Sequence, residues 1–261
     1  MKRIGCIIAA ALLTLCTAGV FARPMPEQAD GGGEKLVTIY VTRHGQTIAN
    51  SKGIVQGWAD SPLTPEGVAV AEDLGRGLRD VPFDYVISSD LGRTRQTARL
   101  VMAQNRVSQD YPLETTEDLR EACFGSFEEE TGDVVFGAIL TERGIDLETW
   151  TQDPNMFLIM ADTIKQLDTL GIAEDAATIK ARMQRKLTEV AQEQAKKGGN
   201  ILLVTHGEAI NIMLSDLDPA FKHTATAPEN AAVSKVVYNE GTFTIESFND
   251  RSYLEAGKAL R

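Results

Sequence analysis

An α/β fold, a three-layer α/β/α sandwich around a mostly parallel central sheet, is what this sequence predicts. Three apolar, β-branched runs at 36–41, 84–88 and 200–204 have strand length, and each ends in polar residues. Longer stretches between them, led by 64–78 and 175–197, space their apolar residues as helices do. Two further runs, 232–238 and 242–248, flank Asn239-Glu240-Gly241, a hairpin signal that finishes the sheet edge.

The chain opens with Lys2 and Arg3, continues with an uncharged run rich in Ile, Leu and Ala, and reaches Val20-Phe21-Ala22 before Arg23. That order is expected of a secretory signal peptide over residues 1–22, placing the mature protein outside the cytoplasm, periplasmic or secreted. An uncleaved anchor ranks second, because the uncharged run approaches the roughly 20 residues that span a bilayer. A lipid anchor at Cys16 ranks third, since Leu15 stands where a small residue is expected. Residues 23–34, with Pro24, Pro26 and three successive glycines, are expected as a flexible tether. Residues 35–261 then form one domain with a single core.

Cys6 and Cys16 leave with the leader, so the exported chain keeps Cys123 and has no internal disulfide. The formal charge of −11 includes Lys2 and Arg3, and losing these two takes it to −13. Such acidity disfavours nucleic acid and anionic membrane surfaces as partners, and no stable membrane association is expected after cleavage.

Taken in order, the first strand delivers Arg43-His44-Gly45 at its tip. Arg43 offers a planar set of donors to phosphate oxygens. A neutral His44 can attack phosphorus, and Gly45 lets the backbone pass close by. Ligands of open α/β sheets bind at such strand ends. Residues 50–61 form a loop containing Trp58, whose expected role is packing. Thr64-Pro65-Glu66 starts a helix, with Thr64 as cap and Val68, Ala71, Leu74 and Leu78 as its apolar face. The second strand leads into Asp90, the expected cap of a helix that carries Arg93 in its first turn and turns Leu91, Ala98 and Val101 to the core. The helix at 175–197 has Ile179, Met183, Leu187 and Val190 on one face and ends at Gly198-Gly199. The third strand presents Thr205-His206-Gly207, and the helix opening at Ala209 is expected to aim free amides at the same anion.

Arg43-His44-Gly45, Gln56-Gly57-Trp58, residues 62–67, residues 88–98 and Thr205-His206-Gly207-Glu208 together resemble, in unbroken order, the histidine phosphatase superfamily in its phosphoglycerate-mutase-like branch. The resemblance implies that fold and a phosphohistidine formed on His44. It assigns neutralisation of the phosphoryl oxygens to Arg43, Arg93 and His206, without metal or cofactor. Asn50, Gln56, Gly57 and Gly207 would line the phosphate pocket. The family register selects Arg93 over Arg95, which is expected on a solvated helix face. Residues 119–128 are similar to the family's Leu-x-Glu and Gly-x-aromatic-Glu segments, which makes Glu121 the proton donor and leaves Glu208 the runner-up. His223 matches no motif and is expected in an exposed loop. A zinc site of His44, His206 and His223 has no recognisable spacing.

Residues 126–177 are expected as an inserted lid region. Arg143 and Lys165 are its only basic residues, against twelve acidic ones. Related mutases carry a basic cluster there for a bisphosphorylated ligand. Its absence lowers the mutase reading, while the complete set of four pocket residues and the leader point first to an exported, metal-independent phosphomonoesterase acting on a small phosphorylated substrate. A mutase-type phosphotransferase and a catalytically silent phosphate-binding or partner-binding relative are the alternatives. Met156-Phe157-Leu158-Ile159-Met160 is expected in the core before a lid. The substrate's identity and the oligomeric state stay open.

Overall fold

The structure is a computed structural model that describes residues 34–222 and 225–261. The leader with Cys6 and Cys16, nearly all of the tether, and His223 lie outside the described residues. The strands are β1 (Val37–Arg43), β2 (Tyr85–Ser89), β3 (Leu113–Thr116), β4 (Gly199–Thr205), β5 (Val233–Asn239) and β6 (Thr242–Asp250). The helices are α1 (Ile48–Ser51), α2 (Pro65–Gly77), α3 (Gly92–Gln104), α4 (Gly132–Arg143), α5 (Leu147–Gln152), α6 (Met156–Leu167), α7 (Ala176–Ala195), α8 (Gly207–Leu214) and α9 (Ser252–Lys258).

One sheet has the order β3-β2-β4-β1-β5-β6, parallel from β3 to β1 and antiparallel at β5 and β6. Side chains alternate across it. Ile39, Val41, Ile201 and Leu203 pack on one face with Ile164 of α6, Met183 and Leu187 of α7 and Ile212 of α8. Tyr40, Leu202 and Val204 pack on the other with Leu74 of α2, Ala98 and Val101 of α3 and Tyr253 of α9. The three α/β/α layers follow from this alternation.

Register builds the site. Arg43 pairs with Thr205, and the His44 amide donates to the Thr205 carbonyl at 3.0 Å. Two adjacent parallel strands therefore release His44 and His206 at the same level. The closing hairpin has Glu240 and Gly241 at φ 47° and 82°, the left-handed pair that a tight two-residue turn requires.

Thr64 caps α2, and Asp175 caps α7. Asp90 does not cap α3. Its carboxylate pairs with Arg120 instead, while Asp60 accepts the Gly92 amide at 2.5 Å and the Arg93 amide at 3.4 Å. Leu91, expected in the core, is only partly buried. Besides α1 and the lid-region helices α4, α5 and α6, two elements go beyond the sequence expectation. The edge strand β3 reads Leu-Glu-Thr-Thr and has no alternating apolar pattern, and α9 is too short to show a period. In the 126–177 region Phe157, Met160 and Ile164 of α6 are buried in the main core, so the Met156–Met160 run is mostly core.

Candidate active site

Arg93 is the hub of the strand-tip cluster. Its side chain is fully buried, and its single Nε–H lies between two imidazoles, 3.3 Å from His44 Nε2 and 3.1 Å from His206 Nδ1. The guanidinium can only donate, so both ring nitrogens present lone pairs. Nδ1 of His44 donates to the Gly45 carbonyl at 2.8 Å, which fixes the tautomer with Nε2 free to react. The rings stand 5.2 Å apart at 64°. His206 Nε2 and Arg43 Nε are buried with no partner among the described residues. Buried donors left empty mark a place for acceptors such as phosphoryl oxygens. Burial, then the charges of Arg93 and Arg43, hold His44 well below the usual imidazole range. His206 is held down by burial first and Arg93 second.

The guanidinium end of Arg93 is gripped by the 56–60 loop. Nη2 donates to the Gly57 carbonyl at 2.7 Å, and Nη1 to the Ala59 carbonyl at 2.8 Å and to Asp60 at 3.1 Å. Glu128 fixes that loop in turn, accepting amides from Gly57, Trp58, Ala59 and Phe124 at 2.8 to 3.1 Å. Gly57 is hemmed in, because an added Cβ would lie 2.2 Å from the Ala122 carbonyl oxygen. Gln56 links Thr47 to Ser61 through its side chain. Gln56 and Gly57 thus stand behind Arg93 and hold it. At the first tip an added Cβ on Gly45 would lie 2.4 Å from the Gly67 carbonyl oxygen, so two backbones touch there. Asn230 donates to the His44 carbonyl at 2.8 Å and Arg43 Nη1 to the Pro228 carbonyl at 2.8 Å. Gly207 starts α8 against Arg43, its hypothetical Cβ 3.1 Å from Nε.

Glu121 is buried and sits on the start of α8. Its carboxylate accepts amides from Ala209 at 2.7 Å, Glu208 at 3.2 Å and Ala122 at 3.2 Å. The helix opens at Gly207, and the amides expected to be free for an anionic ligand are taken by this carboxylate. Burial raises the Glu121 pKa against the pull of these amides and of Arg93 and Arg43. Glu208 is buried with both oxygens unpartnered, and burial followed by the Glu121 charge pushes it well up. Arg95 is exposed. Trp58 is 42 % exposed, its indole N–H on the Glu121 carbonyl at 3.1 Å and its ring under Arg120 at 4.9 Å, so it is not the packed side chain expected. Asn50 lines a cavity of about 670 Å³ that adjoins Arg43 and also touches Gln46, Lys52, Asp133, Phe136 and Asn230.

Residues 39–251 match the sequence signature described as histidine phosphatase superfamily (branch 1). The chain belongs to that superfamily. It is 29% identical over 231 residues to a Citrobacter koseri protein named "Probable phosphoglycerate mutase GpmB", covering 85% of this chain and 96% of the relative. The crystal structure of a phosphoglycerate mutase from Bacillus anthracis superposes with a TM-score of 0.81 at 38% identity, covering 87% of this chain and 99% of that one. An alpha-ribazole phosphatase from Shigella flexneri superposes with a TM-score of 0.60 at 25% identity, covering 82% and 96%. The fold is phosphoglycerate-mutase-like, and phosphatases stand among the chain's structural neighbours.

Four supporting residues were not singled out from the sequence with a role. Asp60 and Glu128 brace Arg93, and Arg182 with Glu174 braces the Glu121 loop. Arg182 carries a readable signal: it stands three residues after Ile179 and beside Met183, a charge on the apolar stripe of α7. Among the described residues no group of three His, Cys, Asp or Glu side chains is placed to hold a metal.

Proposed function

We propose that this protein is an exported, metal-independent phosphomonoesterase that works through a phosphohistidine. The observation that carries the reading is the Arg93 Nε–H held between His44 Nε2 and His206 Nδ1, which leaves a neutral nucleophile beside donors without acceptors. In the first half His44 Nε2 forms its bond to phosphorus in line with the departing oxygen. Arg43 and the Nε2–H of His206 donate to the equatorial oxygens, and Arg93, its N–H groups engaged by the imidazoles and the 56–60 loop, adds buried positive charge beside them. The P–O bond breaks and Glu121 gives its proton to the alkoxide, so an alcohol leaves. In the second half a water loses a proton to the Glu121 carboxylate and attacks phosphorus. The P–N bond breaks, its electron pair returns to His44, and inorganic phosphate departs with Glu121 protonated again. Export rests on the leader composition over residues 1–22.

The cavity beside Arg43 supports a substrate with one phosphate on a small polar alcohol. Among the described residues Lys52 is the one cation lining it besides Arg43. Arg143 instead donates to Thr163 and Lys165 to the Gly171 carbonyl, and neither lines it. Release of phosphate from p-nitrophenyl phosphate, undiminished by EDTA and lost in His206→Ala, is the expected result. A strict metal requirement would sink the reading.

A mutase is the second reading, favoured by the likeness to the Bacillus anthracis enzyme. It requires isomerisation of 3-phosphoglycerate that depends on a bisphosphoglycerate.

A further inference from the structure

Arg182 of α7 is only 9 % exposed, and every one of its five N–H groups is engaged. Nε and Nη2 hold the two oxygens of Glu174 at 2.8 Å each. Nη1 donates to the carbonyls of Asp118 at 2.9 Å and Arg120 at 2.6 Å, and Nη2 to that of Glu121 at 2.8 Å. Glu174 also accepts the Cys123 amide at 3.1 Å. One planar group thus pins the backbone from Asp118 to Cys123, directly and through its partner. The segment has little regular structure of its own, since a single 3-10 turn ends at Leu119. Cross-links from α7 therefore join those from Thr205, Asp90 and Trp58 in setting its position against the strand tips.

A hydrocarbon side chain here would cover the core, leave the Asp118 and Arg120 carbonyls without donors, and reduce the Glu121 carbonyl to the Trp58 indole and Glu174 to the Cys123 amide. A lysine would keep the charge, but its three N–H groups radiate from one point and cannot match this planar array. On the reading that Glu121 is the proton donor, we infer that Arg182, with Glu174, is a positioning residue that sets the Glu121 carboxyl against the leaving oxygen. The Glu121 side chain is held at its far end by the α8 amides, so a shift of its backbone carbonyl rotates the carboxyl about that anchor. Misplacement by about 1 Å costs a reaction on the order of 100-fold.

The test is the dependence of kcat/KM on the leaving group, because kcat/KM reads only steps up to departure of the alcohol. Arg182→Met should lose about 100-fold on alkyl phosphates, whose alkoxides need a proton. It should lose under about threefold on 2,4-dinitrophenyl phosphate, whose phenolate leaves without one. On the activated ester a burst of dinitrophenolate should precede slow turnover, since hydrolysis of the phosphohistidine needs the same carboxyl. Arg182→Lys should recover only part of the loss, Glu174→Gln should fall between, and Arg182→Met added to Glu121→Gln should cost nothing further. Equal losses on both ester types, or full recovery by Lys, would overturn the positioning role. If Arg182→Met does not fold, Lys and Gln variants are read by the same ratio. A wild-type protein that hydrolyses neither ester defeats the phosphatase reading, and the inference with it, in a way a uniform loss in the variants does not.

Discussion

The strand-tip cradle and the wall of the adjoining cavity are built on opposite terms. In the cradle the bracing groups have fixed partners and leave Arg43 Nε and His206 Nε2 open among the described residues: Arg93 is held by Gly57, Ala59 and Asp60, and Glu128 holds the loop that supplies them. On the wall, Lys52 and Asp133 face the same cavity and form no ion pair among the described residues. Engaged donors fix geometry, which phosphoryl transfer needs whatever alcohol departs. Charges without partners are free to meet a substrate, and that is where selectivity belongs.

Substitutions should separate the two regions by size and by kind of effect. His44→Ala should lower kcat/KM by on the order of 10⁴-fold or more on every substrate. It should also abolish the acid-labile phosphoprotein trapped by quenching with labelled substrate. Glu128→Ala leaves four amides without their acceptor and loosens Arg93, so a loss of about 100-fold, alike for all esters, is expected in steady-state assays. A Glu128 effect that varied with the alcohol would erase the distinction between cradle and wall.

The pH profile sharpens it further. His44 must be neutral, and its pKa is lowered from 6.5, so the acid limb should lie below that value. Glu121 must hold its proton, and its pKa is raised from 4.5, so the alkaline limb should lie above that value. A bell in kcat/KM, changing about tenfold per pH unit on each limb, should lose its alkaline limb in Glu121→Gln measured on an activated ester. Smallest are the wall effects. Lys52→Met should raise KM by about threefold to fivefold for phosphate esters that carry a carboxylate and leave p-nitrophenyl phosphate unchanged. Asp133→Asn should do the same for esters that carry an ammonium group.

What could be read from the chain divides along the same line. The strands at β1, β2 and β4 were legible because each joins a compact apolar run to an abrupt polar tip, and Arg43, His44, Arg93 and His206 cluster as that pattern implies. The braces were not. Asp60 serves a helix that begins thirty-two residues later, so no local signal connects them. Glu128 reaches Gly57 across seventy-one positions. Arg182 could have been found, since a charge on an apolar stripe demands a partner, but only the folded chain shows that its partners are three carbonyls and Glu174. The start of α8 shows the opposite error. Local sequence rightly signalled open amides, and a carboxylate from another segment fills them.

The shared hydrogen of Arg93 makes the two imidazoles report on each other. Once His44 has spent its electron pair on phosphorus, that hydrogen has only His206 Nδ1 left among its two ring acceptors. The nitrogen resonance of His206 therefore registers the covalent state of a ring it does not bond to, a built-in spectroscopic gauge of how much enzyme is charged during turnover.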